Sequence, residues 1–252
     1  MNLGRFGVLS VGGESARIYA SGPGGSSPRL SASDAAAPGP AAPGTVAPGA
    51  VTPGVVVLHA WWGLHDDVIA YADRLAEVGF SVLAPDLVRG RTAATIEEAE
   101  RLSEGVDQSH ADAVTLAAVD RLAASVGAAG RVATLGFSFG GAWAVWCAAK
   151  RPAVAASVVY YAAMTGPSLA LATAPVLGHF AESDPYESEE SVQAFERGLR
   201  DAGRSVTIHR YPGTGHWFAE PSRDAYRAEA ADLAFERTVA FLRQQLTPAG
   251  HP

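Results

Sequence analysis

Residues 54–59 read Gly-Val-Val-Val-Leu-His, a β-branched run with no polar alternation. Such a run fits a strand buried on both faces. Downstream, the apolar positions Val68, Ala72, Leu75 and Ala76 share one helical face. Asp66 or Asp67 can cap that helix, and Gly79 can end it. A second apolar strand over 80–84 stops at Pro85. Strand, helix and strand in this order predict a βαβ unit and a parallel sheet. The alternation continues with two helical segments within 95–126, split near 106–109, and then a strand over 131–135 and a helix over 142–150. Further strands are predicted at 155–161, 175–180 and 205–211, with helices between them, notably 189–202. A terminal helix from about Ser222 to Leu246 carries Phe235, Val239, Leu242 and Leu246 on one stripe, which would dock it on the sheet. Ahead of all this, residues 6–11 and 15–20 flank Gly12-Gly13 and predict an antiparallel hairpin.

The expected fold is therefore α/β, a mostly parallel, doubly wound sheet of about eight strands flanked by helices. A single domain is expected over residues 1–252: a hairpin at 1–20, a core at 54–246, and a segment at 21–53 of another character. That segment is rich in Pro, Gly, Ala and Ser, with units such as Ala42-Pro43-Gly44 and Ala47-Pro48-Gly49. It has too few large apolar side chains to offset its ordering entropy and is expected to be a mobile surface loop.

At 252 residues and 48% hydrophobic, the chain has ample material for a core. A net charge of -7 without any cluster of Lys and Arg argues against nucleic acid or an anionic membrane as partner. The single cysteine, Cys147, excludes an internal disulfide and reads as a small buried hydrophobe among Trp143, Val145 and Trp146. The first residues lack a basic region followed by a long apolar run, and no stretch of about 18 apolar residues occurs. A soluble cytoplasmic protein, monomeric or a small homo-oligomer, is expected.

The chemistry centres on Gly136-Phe137-Ser138-Phe139-Gly140, which follows a predicted strand and precedes a predicted helix. A serine at such a sharp turn sits in a strained conformation with its hydroxyl projecting, and the flanking glycines avoid Cβ collisions. Serine is a weak nucleophile near neutral pH, so it needs a base and a group to orient that base. Asp184 follows the strand at 175–180, and His216 follows the strand at 205–211. In a parallel sheet these strand ends share one edge, where open α/β folds place their sites. The order Ser138, Asp184, His216 is that of the α/β-hydrolase arrangement. Asp184 before Pro185 could instead be only a turn residue, and Glu182 could take its role. His179 and His209 lie inside strands and read as structural. An oxyanion needs preorganised donors; the backbone N–H groups of Phe139 and Trp61 are the candidates. Trp62, Trp217 and Phe137 could wall an apolar pocket, although core packing would explain them equally well.

Residues 57–64 (Val-Leu-His-Ala-Trp-Trp-Gly-Leu), 84–87 (Ala-Pro-Asp-Leu), 136–141 (Gly-Phe-Ser-Phe-Gly-Gly) and 211–219 (Tyr-Pro-Gly-Thr-Gly-His-Trp-Phe-Ala) resemble the dienelactone hydrolase family. Four motifs keep their order over about 55–246. The resemblance implies a single α/β-hydrolase domain without a large lid, a triad of nucleophile, Asp and His, and cofactor-free hydrolysis of a small-molecule ester or lactone. Two departures stand out. The founding type has cysteine where this chain has Ser138, and a glutamate controlling that thiol where this chain has Ala60. It also reads its substrate's carboxylate partly through an arginine four residues past the histidine, where this chain has Glu220. If Glu220 faces the pocket it would repel an anionic substrate; Arg89 and Arg91, after Asp86, could offset that, and solvent exposure beside Pro221 is the plain alternative.

The leading expectation is a serine esterase or lactonase. Acyl transfer or perhydrolysis would use the same acyl-enzyme. A non-catalytic ligand-binding protein on a hydrolase fold is a reading from another class. A metallohydrolase using His59, His65, Asp66 and Asp67 fits no recognised ligand spacing, so no metal is expected.

Overall fold

Eight strands hydrogen-bond into one sheet in the order β1-β2-β4-β3-β5-β6-β7-β8. They are β1 Arg5–Val11, β2 Glu14–Ser21, β3 Gly54–Leu58, β4 Ser81–Pro85, β5 Val132–Phe137, β6 Val154–Tyr160, β7 Val176–Ala181 and β8 Val206–Tyr211. The structure, a computed structural model, describes residues 4–25, 28, 52–126 and 131–247. Most of the Pro- and Gly-rich segment at 21–53 lies outside the described residues. Only β1–β2 and β2–β4 pair antiparallel; every other neighbouring pair is parallel. The hairpin closes with Val11 opposite Glu14 around Gly12 and Gly13, whose φ angles of 57° and 89° suit a primed two-residue turn.

The helices are α1 Asp66–Glu77, α2 Ile96–Glu104, α3 Gln108–Ser125, α4 Phe139–Lys150, α5 Pro167–Leu171, α6 Glu189–Asp201 and α7 Ala228–Leu246. Alternation along the strands divides the core between two faces. Val55 and Val57 of β3 pack with Leu75 of α1 and Leu242 of α7, whereas Val56 and Leu58 pack with Val114 of α3, Val145 of α4 and Leu199 of α6. Both faces are covered, which is why the parallel strands read as unbroken apolar runs.

Three boundaries differ from expectation. The cap of α1 is His65, whose Nδ1 accepts from Asp67 N–H at 3.4 Å, so Asp66 and Asp67 occupy the first helical turn. Acidic side chains there favour the positive end of the helix dipole. Ser21 belongs to β2, where its hydroxyl donates to the buried Asp73 of α1 at 2.7 Å beside Tyr19, whose own hydroxyl donates at 2.8 Å. The terminal helix starts at Ala228 and not near Ser222, because residues 221–227 fold back and Arg227 N–H bonds Phe218 O at 3.0 Å.

A polar chain runs through the α1/α7 face. Tyr71 and Tyr160 hydroxyls lie 2.9 Å apart, and Tyr160 meets Thr238 Oγ1 at 3.0 Å. His179 joins Thr238 through Nε2 at 2.9 Å and Tyr211 through Nδ1 at 2.8 Å. Burial pushes His179 well below the usual imidazole range, which fits its expected structural role.

Candidate active site

At the end of β5 the chain turns within one residue into α4. Ser138 makes that turn at φ 44° and ψ −114°, a left-handed region costly for any residue with a Cβ. The turn closes only because its neighbours are glycines. A Cβ on Gly136 would run into the Gly140 carbonyl, and one on Gly140 would lie 2.6 Å from the carbonyl oxygens of Leu58 and His59. The helix therefore starts at Phe139, earlier than residue 142, and the Phe139 N–H precedes the helix's own hydrogen-bond ladder.

Ser138, His216 and Asp184 come together. Ser138 Oγ lies 2.9 Å from His216 Nε2, and His216 Nδ1 lies 2.9 and 2.7 Å from Asp184 Oδ1 and Oδ2. Asp184 Oδ1 also accepts the N–H groups of Tyr186 and Glu187 at 2.9 and 3.1 Å, so the carboxylate is held by its own loop. Glu182, the alternative partner, instead accepts from Gly213 N–H at 2.9 Å on an exposed surface. The His216 ring is flanked by Tyr161 and Tyr186, each 4.8 Å away between centroids. Four non-glycine residues among those described have positive φ, and Ser138, Tyr161 and Trp217 are three of them, all crowded around His216.

The loop after β3 is set by His59. Leu87 N–H donates to its Nε2 at 3.0 Å, so the ring proton sits on Nδ1 and donates to Ala60 O at 2.6 Å. Burial lowers the pKa of this ring and keeps it neutral. Ala60 O also accepts Gly63 N–H at 3.2 Å. In a planar trans peptide this turns the Trp61 N–H the opposite way.

A cavity of about 560 Å³ opens beside Ser138, walled by Phe139, Trp143, Trp146 and Met164 with Asp112 and Glu187. None of the expected pocket residues Ala60, Trp62, Phe137, Trp217, Glu220, Arg89 and Arg91 lines it. Ala60 and Phe137 are core: Phe137 packs on Tyr160 and Tyr71 at 4.8 and 5.0 Å. Trp62 is buried beneath the guanidinium of Arg223, 3.8 Å from its ring. Trp61 and Trp217 do stay near His216, in one cluster with Tyr186. Arg89 is exposed and pairs with Glu14 and Asp107, and Arg91 donates to the carbonyls of Val88 and Gly105.

Glu220 faces neither pocket nor solvent. It is 2% exposed and accepts the Tyr161 hydroxyl at 2.8 Å through Oε1. Its Oε2 lies 3.7 Å from His65 Nε2, with no hydrogen-bond partner among the described residues. Of the four residues in the metal reading, His65 and Asp67 do approach one another, with Glu220 as their third neighbour, but His59 has both nitrogens engaged elsewhere. Cys147 is buried in α4, which pushes its thiol up to about 12.

Sequence reasoning missed Asp112 and Glu187. Burial, with the charge of Asp184 adding to it, pushes Glu187 up to about 7. Its nearness to Asp184 in sequence was a usable signal; Asp112, far upstream on α3, offered none.

The match to a family model decides the wider question: residues 43–246 fit that of the dienelactone hydrolase family. The chain belongs to this family. Among its relatives, a Methylorubrum extorquens protein assigned as a carboxymethylenebutenolidase is 29% identical over 75% of this chain and 71% of its own. A Bradyrhizobium protein assigned as a 2-oxo-3-(5-oxofuran-2-ylidene)propanoate lactonase is 31% identical over 76% of this chain and 84% of its own. The fold is shared with a Klebsiella pneumoniae protein assigned as a dienelactone hydrolase, at TM-score 0.75 and 24% identity, over 96% of this chain and 99% of that one. As a dienelactone hydrolase family member the chain has the α/β-hydrolase fold and no large additional domain among the described residues. No described helix is long and apolar enough to cross a membrane.

Proposed function

We propose that this protein is a serine hydrolase that cleaves small carboxylic esters or lactones through an acyl-enzyme on Ser138. The observation that carries the proposal is the unbroken hydrogen-bonded line from Ser138 Oγ through His216 to Asp184, at 2.9 and 2.7 Å. In this reading His216 Nε2 takes the serine proton as Oγ attacks the carbonyl carbon. Asp184 holds the imidazole in the Nδ1–H tautomer and stabilises the imidazolium. The oxyanion is met by the N–H groups of Phe139 and Trp61, each such donor being worth about 3 kcal/mol. Collapse re-forms the carbonyl and breaks the bond between the acyl carbon and the leaving oxygen, and His216 returns the proton to that oxygen. Water, activated by the same ring, then releases the acid and regenerates the serine. With a lactone the leaving oxygen stays tethered, and the product is one hydroxy acid.

The test is labelling with an active-site phosphonate, followed by mass spectrometry of the modified peptide. One adduct on Ser138, absent in Ser138→Ala and accompanied by loss of p-nitrophenyl acetate hydrolysis, is the expected result. Undiminished hydrolysis by Ser138→Ala would overturn the proposal.

A further inference from the structure

The cavity beside Ser138 has a chemical character that the hydrolase reading leaves unused, although its role as a substrate pocket rests on that reading. Its only charged lining groups among the described residues are the carboxyls of Asp112 and Glu187; no Lys or Arg lines it. Asp112 accepts Trp143 Nε1–H at 2.7 Å and Gln108 Nε2–H at 2.9 Å, both on Oδ1, which leaves Oδ2 without a hydrogen-bond partner among the described residues. The indole of Trp143 is thereby fixed against the carboxylate, and its ring packs on Phe139 at 4.7 Å. The face of Trp146 supplies a further π surface. Lys150 already holds its ammonium 5.8 Å from that ring, although the lysine itself is exposed and lies outside the lining. Glu187 also lines the cavity and accepts from Ser191 Oγ at 3.3 Å.

Aromatic faces combined with carboxylates are the surroundings that attract an alkylammonium group, since both the ring quadrupole and the full charges act in the same sense. The same surroundings repel a carboxylate. We propose that this cavity is an acyl pocket for a cationic group, and that the substrate class of the enzyme is esters whose acyl chain ends in an alkylammonium.

The distance constraint is a short one. The acyl carbon must sit at Ser138 Oγ while the ammonium reaches the Trp143–Asp112 wall inside the same cavity, so a spacer of a few methylenes is required. A bound cation would also favour the ionised form of Glu187, strengthening its own attraction.

The test uses three p-nitrophenyl esters of similar size: 4-(trimethylammonio)butanoate, its carbon isostere 5,5-dimethylhexanoate, and the glutarate monoester. The kcat/KM of the cationic and neutral esters is divided by each ester's spontaneous hydrolysis rate, which removes inductive differences; the glutarate monoester is compared undivided, because its own carboxylate accelerates its spontaneous hydrolysis. The cationic ester is expected to exceed the neutral isostere by roughly tenfold, and the anionic ester to fall below both. Asp112→Asn and Glu187→Gln should each lower the cationic-to-neutral ratio, and the double variant should bring it close to one. Asparagine at 112 keeps an acceptor for Trp143, so the wall is retained while its charge is removed. A wild-type ratio at or below one overturns the proposal, as does a high ratio that neither substitution reduces. The two readings fail separately: hydrolysis of the neutral ester that survives Ser138→Ala refutes the serine mechanism, whereas Ser138-dependent hydrolysis with no preference for the cation refutes only the pocket assignment.

Discussion

Replacing Glu187 by Gln is expected to stabilise the protein at pH 8 much more than at pH 5. Burial raises this carboxyl from 4.5 to about 7. The folded state therefore holds a proton that the unfolded chain releases across that interval. Where the native state binds more protons, stability falls as pH rises. Glu187 thus contributes fully below its unfolded pKa, and that contribution is lost as pH climbs through about 7. The full shift corresponds to about 3 kcal/mol at about 1.4 kcal/mol per pKa unit. Glu187 faces an open cavity, and solvent screening there reduces the usable amount to about 2 kcal/mol. Glutamine retains an acceptor oxygen for Ala163 N–H and Ser191 Oγ without any charge to desolvate. Urea unfolding of wild type and variant at both pH values gives the difference directly, other titrating groups cancelling between them. In thermal melts the pH 8 gap should be about 4 to 8 °C larger than the pH 5 gap. An identical difference at the two pH values, or a larger stabilisation at pH 5, would refute the reasoning.

Asp184→Asn should lower kcat by about 10⁴-fold through the wrong tautomer of His216, while Glu182→Gln should leave steady-state kinetics near wild type; the reverse outcome would exchange their roles. Gly136→Ala should fail to give soluble folded protein, because its methyl would overlap the Gly140 carbonyl, and a normal circular dichroism melt would contradict this. Ser138→Cys should not produce a cysteine hydrolase of equal kcat/KM, since Ala60 stands where the founding type has its thiol-controlling glutamate; equal or higher activity would remove that argument. Glu220→Arg, at a residue that is 2% exposed, should cost about 3 kcal/mol or more by burying an uncompensated charge in place of the Tyr161 acceptor, so a fully stable Glu220→Arg variant would contradict the burial.

Strand identity was legible in the sequence because parallel strands covered on both faces carry apolar runs, as 54–58 does. Ser138, Asp184 and His216 were legible because each follows a strand at the same sheet edge. Side-chain direction was not. Glu220 sits four residues past His216, yet the turns after Trp217, itself at φ 63°, carry it beneath the site. Trp62 and Phe137 were read as aromatic and therefore as candidate walls, but both are buried in the core. The cavity beside Ser138 is lined instead by Trp143 and Trp146, spaced along α4, and by Asp112 on α3. Their convergence depends on how α3 and α4 pack, which no local pattern encodes.

The polar chain between the sheet and α7 joins three strands and two helices. At one end of it the Arg237 guanidinium lies over the Tyr211 ring, 5.3 Å from the centroid. His179 pairs with the Tyr211 hydroxyl through Nδ1 and with Thr238 Oγ1 through Nε2, so the ring, kept neutral by burial, donates on one side and accepts on the other. Thr238 and Tyr160 each meet two partners within the chain, and Tyr71 ends it with one. Helices α1 and α7 are consequently fastened to the sheet by one connected set of hydroxyls and a single imidazole, and they should seat or release together.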